Sequence, residues 1–166
     1  MRSRAGEGRY AKRNVFITGG SSGIGLAVAE AFAAEGAHVA IFARNPTRLE
    51  EAVARIRRVR NRGDEKAAGF PLDVADRGQV RAVMERAVRE FGAPQVLVND
   101  AGITYTDYFE NITYEQFDEI LRTNLYGVWN TITTLLPDMK AHGGLIVNVS
   151  SIVGFLGVFG YAAYAA

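Results

Sequence analysis

The sequence predicts an α/β fold of the Rossmann type, in which helices cover both faces of a parallel, doubly wound sheet. Short, nearly continuous apolar segments alternate with amphipathic helical patterns from residue 14 onward, as in parallel sheets that are buried on both sides. A glycine-rich loop lies directly between the first apolar segment and the first helical pattern. With 166 residues, the chain is long enough for one domain with a sizeable core.

The elements follow one another in a regular order. Strands are expected at residues 15–18, 38–43, 68–72, 96–99 and 145–149, and helices at residues 24–35, 46–60, 76–91 and 114–141. Helix ends are indicated by capping residues and glycines. The start signals are Asn45 with Pro46, Asp76 with Gln79 and Thr113 with Gln116, and the left-handed end signals are Gly36 and Gly92. Pro137 is expected to kink or break the fourth helix.

Composition excludes several classes of function. The net charge is only +1, so charge gives no indication of a nucleic-acid partner, and the absence of cysteine excludes disulfides and thiolate chemistry. With two histidines, a metal site is not expected. Residues 1–13 are basic and have no apolar core of a signal peptide, so they are interpreted as a disordered arm before a single domain at 14–166. A cytoplasmic location is therefore expected, and a short organelle-targeting peptide is the alternative.

One uncharged stretch, residues 145–166, is long enough to cross a bilayer. Its glycines, Asn148, Ser150 and Ser151 argue against a membrane span, and no basic residue follows it as an anchor. We therefore expect no span, and a membrane-anchored interaction protein remains the less favoured alternative.

The loop at residues 18–25 reads Thr-Gly-Gly-Ser-Ser-Gly-Ile-Gly. Glycines let backbone amides approach a pyrophosphate closely, and a helix amino terminus adds unpaired N–H groups and partial positive charge. The spacing Gly-x-x-x-Gly-x-Gly, without a following Lys-Ser/Thr pair, argues against a nucleoside-triphosphate loop. The candidate phosphate-binding residues are Thr18, Gly19, Ser21, Ser22, Gly23, Ile24 and Gly25. The alternative is a glycine-rich loop with no ligand.

Arg44 follows the second predicted strand, where a doubly wound sheet meets the adenosine ribose. No Asp or Glu lies between residues 40 and 47 to bind a ribose 2′-hydroxyl, whereas a guanidinium can pair with a 2′-phosphate. NADP(H) is therefore favoured over NAD(H). A plain surface arginine is the alternative.

Several ordered motifs from residue 14 to the last residue resemble the classical short-chain dehydrogenases/reductases. The motifs are the loop at 18–25, Leu72-Asp73-Val74, Asn99-Asp100-Ala101-Gly102, the segment 122–127 with Asn124, and Ser151 followed thirteen positions later by Tyr164. Asp100 replaces a second Asn that supports the central sheet in the family. The resemblance implies the strand order 3-2-1-4-5, and further cofactor contacts from Asp73, Val74, Asn99, Ala101 and Gly102.

The resemblance also implies a ketone–alcohol oxidoreductase. Ser151 would hydrogen-bond the substrate oxygen, Tyr164 would be the general acid/base, and Asn124 would hold a water in the proton relay. A phenol of ordinary pKa, about 10, needs a nearby cation for this task, and the family supplies a Lys four positions after the Tyr. Each side chain also has a structural alternative, and Tyr161 competes with Tyr164 for the role of acid.

The residues 154–165 look most like those of the 3-ketosphinganine reductases, which would make the substrate a long-chain lipid ketone. The chain ends at Ala166, two positions before the expected Lys. We therefore expect it to be an incomplete part of a reductase that lacks the last strands, binds dinucleotide weakly and reduces ketones negligibly. Family members are usually dimers or tetramers. A non-catalytic dinucleotide-binding regulator is the other alternative.

Overall fold

The computed structural model describes residues 8–60 and 64–166. Five parallel strands form one sheet in the order β3-β2-β1-β4-β5, which confirms the predicted Rossmann-type fold. The strands are β1 (Asn14–Thr18), β2 (His38–Ala43), β3 (Ala67–Pro71), β4 (Val96–Asn99) and β5 (Leu145–Asn148). The helices are α1 (Gly23–Ala34), α2 (Pro46–Arg58), α3 (Arg77–Phe91), α4 (Tyr114–Leu121) and α5 (Gly127–His142).

The strand order reverses beside β1. The chain passes outward from β1 to β2 and β3, returns to β4 on the other side of β1, and continues to β5. In an open parallel sheet this switch point opens a crevice beyond the carboxyl ends of the strands, where ligands bind. The topology therefore brings the ends of all five strands to one edge of the molecule.

Alternate residues of β1 supply two hydrophobic layers. Val15 and Ile17 face the layer that α1 and α2 cover, whereas Phe16 faces the layer that α3 and α5 cover. All three side chains are fully buried. Because successive side chains of a strand point to opposite faces, a strand buried on both sides reads as the continuous apolar run seen in the sequence.

Four phenylalanines form the centre of the second layer. The ring centroids of Phe16 and Phe42 are 5.4 Å apart, and those of Phe42 and Phe70 are 5.3 Å apart in a stacked arrangement. Phe91 from α3 packs its edge against both Phe16 and Phe70. The aromatic cluster therefore joins β1, β2 and β3 to α3.

Most of the predicted helix ends are present. The side chains of Asn45 and Asp76 accept the expected backbone N–H groups, and Thr113 forms a complete capping box with Gln116. Gln79 differs from the prediction, since its amide oxygen accepts the N–H of Asp73 instead of that of Asp76, while its amide nitrogen donates to the Asp76 carboxylate. Gly36 and Gly92 have φ of +85° and +87°. At Gly92 ψ is 173°, so this cap is extended and not left-handed helical.

The fourth predicted helix is divided by a single π-helical turn, Arg122–Tyr126, between α4 and α5. Of the kink or break expected at Pro137, the break does not occur, since α5 continues through Pro137 to His142. A proline inside a helix costs about 3 kcal/mol through its lost hydrogen bond and steric clash. The buried side chains of Leu135 and Met139 on either side anchor the helix to the second layer and offset this cost.

Residues 8–13, which were expected to belong to a disordered arm, pack against α1. Within residues 8–13, the ring of Tyr10 packs edge-on against Phe32, with centroids 4.7 Å apart. The backbone N–H groups of Tyr10 and Lys12 donate to the carbonyls of Glu35 and Gly36 at the end of α1. The rest of the predicted arm, residues 1–7, lies outside the described residues.

The end of the chain is far less buried. Leu145 and Val147 of β5 are exposed at the edge of the sheet, and a short 3-10 turn, Ile152–Gly154, follows the strand. The stretch 145–166 is thus a strand and turns, not a continuous helix. None of the helices in the described parts of the chain combines the length and apolarity needed to cross a membrane.

Candidate active site

A cavity of about 820 Å³ opens at the carboxyl edge of the sheet. Its walls come from the ends of the strands, the glycine loop, the middle of the α4–α5 helix and the last residues of the chain. Of the residues singled out in the sequence, it is lined by Gly19, Ser21, Ser22, Gly23, Ile24, Arg44, Asp73, Val74, Asn99, Ala101, Gly102, Asn124, Ser151 and Tyr164. Thr18 and Gly25 are buried and do not line it.

The glycine loop has the shape of a phosphate cradle. A Cβ on Gly19 would lie 2.8 Å from the backbone nitrogen of Ala101, and a Cβ on Gly25 would lie 2.6 Å from the carbonyl oxygen of Gly19. Side chains at both positions are therefore excluded by backbone. Gly23 has φ of +53° and nothing within 4 Å of its would-be Cβ, so it faces open space. This arrangement fits a pyrophosphate bound through main-chain amides.

Thr18 joins the loop to the end of β4. Its hydroxyl oxygen accepts the backbone N–H groups of Asp100 and Ala101, both at 3.2 Å. Because Thr18 is buried, these bonds position the turn after β4 beneath the loop. Thr18 therefore helps to position the phosphate cradle.

The amino terminus of α1 is capped from another element. The cap residue Ser22 makes no side-chain capping bond. Instead, the carboxylate of Asp100 accepts the N–H of Gly25, and burial raises the pKa of the Asp100 carboxyl above its usual value. Ile24, in the same turn, is exposed and lines the cavity. Sequence reasoning did not place the Asp100 side chain here.

Arg44 lies where the sequence predicts it, at the end of β2, and has a neighbour that was not predicted. Its Nη1 atom is 3.9 Å from Oε1 of Glu119 on α4, and about half of each side chain is exposed. Such a pair contributes little energy. The phenol of Tyr105 donates to the other oxygen of Glu119, and this bond raises the pKa of Tyr105. Arg44 is thus loosely held beside the cavity.

The turn after β3 supplies Asp73 and Val74. The Asp73 carboxylate accepts the N–H of Ala75 at 3.0 Å, which fixes the turn before α3. The carbonyl of Val74 accepts from the buried Asn130 side chain at 3.0 Å, and the Val74 side chain packs against Gly127. Both residues line the cavity, and α5 holds this wall in place.

Asn99 is the structural link between β4, β5 and α5. Its amide nitrogen donates to Oδ1 of Asn148 at 2.9 Å, and its amide oxygen accepts from the hydroxyl of Thr131 at 2.7 Å. The family resemblance implies support of the central sheet from the position of Asp100. In this chain the side-chain support across β4 and β5 comes from Asn99, because the Asp100 carboxylate turns toward α1.

Asn124 lies within the π-helical turn. Its amide oxygen accepts from the N–H of Ile103 and its amide nitrogen donates to the carbonyl of the same residue, both at 2.9 Å. Gly102 packs against the same amide. π-Helical turns occur frequently at functional sites. Here the turn brings Asn124 to the loop after β4, where it holds the cavity wall as well as lining it.

Ser151 and Tyr164 reach the cavity from opposite ends of the final segment. The Ser151 oxygen accepts the N–H of Val153 at 3.3 Å, which leaves its hydroxyl hydrogen free to donate. The ring of Tyr161 packs against Tyr164 with centroids 6.2 Å apart, but Tyr161 does not line the cavity. Of the two tyrosines, the structure therefore brings Tyr164 to the site.

Comparison with known proteins shows the family to which the chain is related. The short chain dehydrogenase family profile matches residues 13–166. The chain is 36% identical over 155 residues to 3-oxoacyl-acyl-carrier-protein reductase FabG of Staphylococcus aureus, covering 93% of this chain and 62% of that one. It is 37% identical over 155 residues to an uncharacterized oxidoreductase of Mycobacterium bovis, covering 93% of this chain and 61% of that one.

Solved structures share the fold. The crystal structure of levodione reductase superposes with a TM-score of 0.89 at 33% identity, covering 95% of this chain and 61% of that one. An alcohol dehydrogenase of Thermococcus sibiricus, complexed with 5-hydroxy-NADP, gives a TM-score of 0.86 at 31% identity over 92% of this chain and 64% of that one. The chain thus spans about three fifths of these relatives' lengths. It belongs to the short-chain dehydrogenase/reductase family of oxidoreductases.

Proposed function

We propose that the protein is an NADP(H)-dependent oxidoreductase that interconverts a ketone and a secondary alcohol. The observation that carries the proposal is the shared cavity. The phosphate cradle, Arg44 and the catalytic candidates Ser151, Tyr164 and Asn124 all line one space of about 820 Å³. A cavity of that volume has room for a ligand of cofactor size.

The proposed chemistry divides between the cofactor and the protein. A bound nicotinamide supplies the hydride for the carbonyl carbon. The hydroxyl of Ser151 donates a hydrogen bond to the carbonyl oxygen, which stabilises the negative charge that develops there. Tyr164 then gives its phenolic proton to this oxygen, and Asn124 holds a water through which the phenol is reprotonated from solvent.

Separate replacement of Tyr164 and Tyr161 by phenylalanine tests the catalytic assignment. Tyr164→Phe should reduce kcat for ketone reduction by about 100-fold or more, because the proton donor is lost. Tyr161→Phe makes the same change three residues away, outside the cavity, and should retain kcat within about threefold. Steady-state rates of NADPH oxidation by the complete gene product measure both effects. Full activity of the Tyr164 variant would exclude the assignment.

The same assay addresses the alternative of a non-catalytic regulator. Calorimetry that detects NADPH binding, combined with no turnover across a panel of ketones, would favour the regulator. Turnover of one ketone excludes it.

Arg44 supports the preference for NADP(H). Its guanidinium lies at the end of β2 and its present partner, Glu119, is held weakly, so a 2′-phosphate can replace it. Arg44→Ala should raise KM for NADPH about tenfold and leave KM for NADH nearly unchanged. Arg81→Ala, which removes the same charge from the exposed face of α3, is the matched control. Equal effects of Arg44→Ala on both coenzymes would contradict the preference.

The proposed substrate is a long-chain ketone of the 3-ketosphinganine type. Besides the resemblance of residues 154–165, the segment after Ser151 carries exposed apolar side chains, among them Phe155, Leu156 and Phe159. Rates on long-chain 3-ketones should exceed those on short ketones, quinones and sugars. A preference for any of the latter three would overturn this substrate.

We further propose that the complete gene product acts in the cytoplasm as a homo-dimer or tetramer. The π-helical turn and α5 expose Tyr126 and Trp129 outside the cavity lining, which supports self-association. Light scattering coupled to size exclusion tests the oligomeric state, and a monomer at micromolar concentration would contradict it.

A further inference from the structure

We propose that Asp100 weakens dinucleotide binding by placing a carboxylate at the amino terminus of α1, beside the amides that would bind the pyrophosphate. This inference rests on the proposed function, because it concerns the affinity of the same cofactor cavity. It gives Asp100 a role in setting this affinity, whereas the comparison with the family motif identifies Asp100 only as a difference from the usual Asn.

The position of the carboxylate is fixed by backbone contacts. The N–H of Asp100 donates to the Thr18 hydroxyl at 3.2 Å, which holds the turn after β4. A Cβ on Gly25 would lie 2.7 Å from Oδ2 of Asp100. The carboxylate is therefore packed directly against the first turn of α1, where it accepts the N–H of Gly25.

This contact replaces a local helix cap. The first turn of α1 contains no acidic residue, and the Ser22 side chain caps no N–H group. Asp100 therefore supplies both a hydrogen-bond acceptor and a negative charge to the positive end of the helix. In the absence of cofactor, this arrangement stabilises α1 and the loop before it.

The same charge opposes the cofactor. A pyrophosphate would be attracted by the amides and the partial positive charge that Asp100 already engages. Within residues 8–60 and 64–166, no arginine or lysine forms an ion pair with Asp100. Burial raises the pKa of its carboxyl, as expected for a charge without a counterion. Cofactor binding must therefore overcome repulsion between two anions.

The variant Asp100→Asn removes the charge of this side chain and keeps its shape. Asparagine has nearly the same size and keeps an oxygen that accepts the Gly25 N–H, but it carries no charge. The Kd for NADPH should therefore fall about fivefold at low ionic strength. The Kd for NADH should fall by the same factor, because the pyrophosphate is common to both coenzymes. At about 0.5 M salt the gain should shrink to less than twofold, since the repulsion is screened.

Isothermal titration calorimetry on the complete gene product tests the proposal. Asp138→Asn, an equal charge change on α5 outside the cavity lining, is the control and should bind both coenzymes like the wild type. Asp100→Ser is a second neutral variant, which decides the question if circular dichroism shows that Asp100→Asn is unfolded.

The outcomes are distinguishable. Tighter binding of both coenzymes by the neutral variants, with a gain that falls with salt, supports the role of Asp100. Unchanged Kd values beside a wild type that binds NADPH overturn this inference and leave the proposed function intact. A folded wild type that binds neither coenzyme overturns both.

Discussion

The amino-terminal and carboxyl-terminal regions of the chain differ in how their residues are held in place. In the amino-terminal region, residues 14–99, Phe16 of β1 is fully buried and contacts other rings. In the carboxyl-terminal region, residues 143–166, Phe155 is 84% exposed and β5 is the last strand in the order of the sheet, paired with β4. The cradle is thus built on a packed core, whereas Ser151 and Tyr164 are carried by short turns at an exposed edge.

This difference suggests a division of labour between binding and chemistry. At Gly19 and Gly25 of the cradle, a side chain would meet backbone atoms, and no side-chain motion can relieve such a clash. Ser151 has a single hydrogen bond to the backbone of its own turn. Substitutions in the first region should therefore cost stability, and comparable substitutions in the second should cost little.

The largest contrast is expected for equal truncations of two phenylalanines. Phe16→Ala removes a buried ring from the centre of the aromatic cluster and should lower the free energy of unfolding by about 3–5 kcal/mol. Phe155→Ala removes a ring that is largely in solvent and should change it by less than about 0.5 kcal/mol. Urea denaturation followed by circular dichroism measures both. Similar losses would show that the carboxyl-terminal region is packed more tightly than its exposure indicates.

Two glycines give the next contrast. Gly25→Ala forces a Cβ to within 2.6 Å of a backbone oxygen, so the loop must shift, and a loss of about 1–3 kcal/mol is expected. Gly157→Ala places its Cβ in open space and should be close to neutral. Thermal unfolding compares the two variants. A Gly25 variant as stable as the wild type would mean that the cradle can relax, against the division described above.

The sequence was sufficient for the features that depend on neighbours along the chain. Apolar runs located the five strands within one residue at each end. The capping box of Thr113 with Gln116 needs only residues three positions apart. The strand order and the motif positions came from the family resemblance. These parts of the fold depend on nearby residues or are shared by the whole family, so they can be predicted from the sequence.

Other parts of the site depend on contacts between distant elements. Neither Glu119, which faces Arg44, nor Ile103, which holds Asn124, has a pattern that marks it in the sequence. The π-helical turn that positions Asn124 was also missed, because it interrupts an unbroken helical pattern. Asp100 was recognised as a departure from the motif, but the direction of its side chain required the packing of the turn against α1.

The contact between the two regions allows a finer test. The hydroxyl of the buried Thr131 donates to Asn99, which in turn donates to Asn148 of β5. Thr131→Val keeps the volume but leaves the Asn99 oxygen without this donor, so a loss of about 1–2 kcal/mol is expected. Thr133→Val removes a hydroxyl that bonds helix carbonyls near the surface and should cost less than about 0.5 kcal/mol. Equal losses would mean that this link does not join the regions.

The smallest effect concerns the two histidines. Burial, followed by the charge of Lys66, lowers the pKa of His38, whose Nδ1 accepts the Lys66 N–H at 2.9 Å. The unfolded chain therefore binds a proton at His38 more readily than the folded protein does, and stability falls as pH drops below about 6.5 through the lowered folded pKa.

His38→Gln keeps an acceptor for the Lys66 N–H but cannot be protonated, so it should reduce this acid-induced loss. His142→Gln, made at an exposed residue that ends α5, leaves His38 intact and should retain the loss. The free energy of unfolding between pH 7.5 and about 5 distinguishes the variants. If both variants followed the wild-type profile, His38 would not be a source of the acid sensitivity of the amino-terminal region.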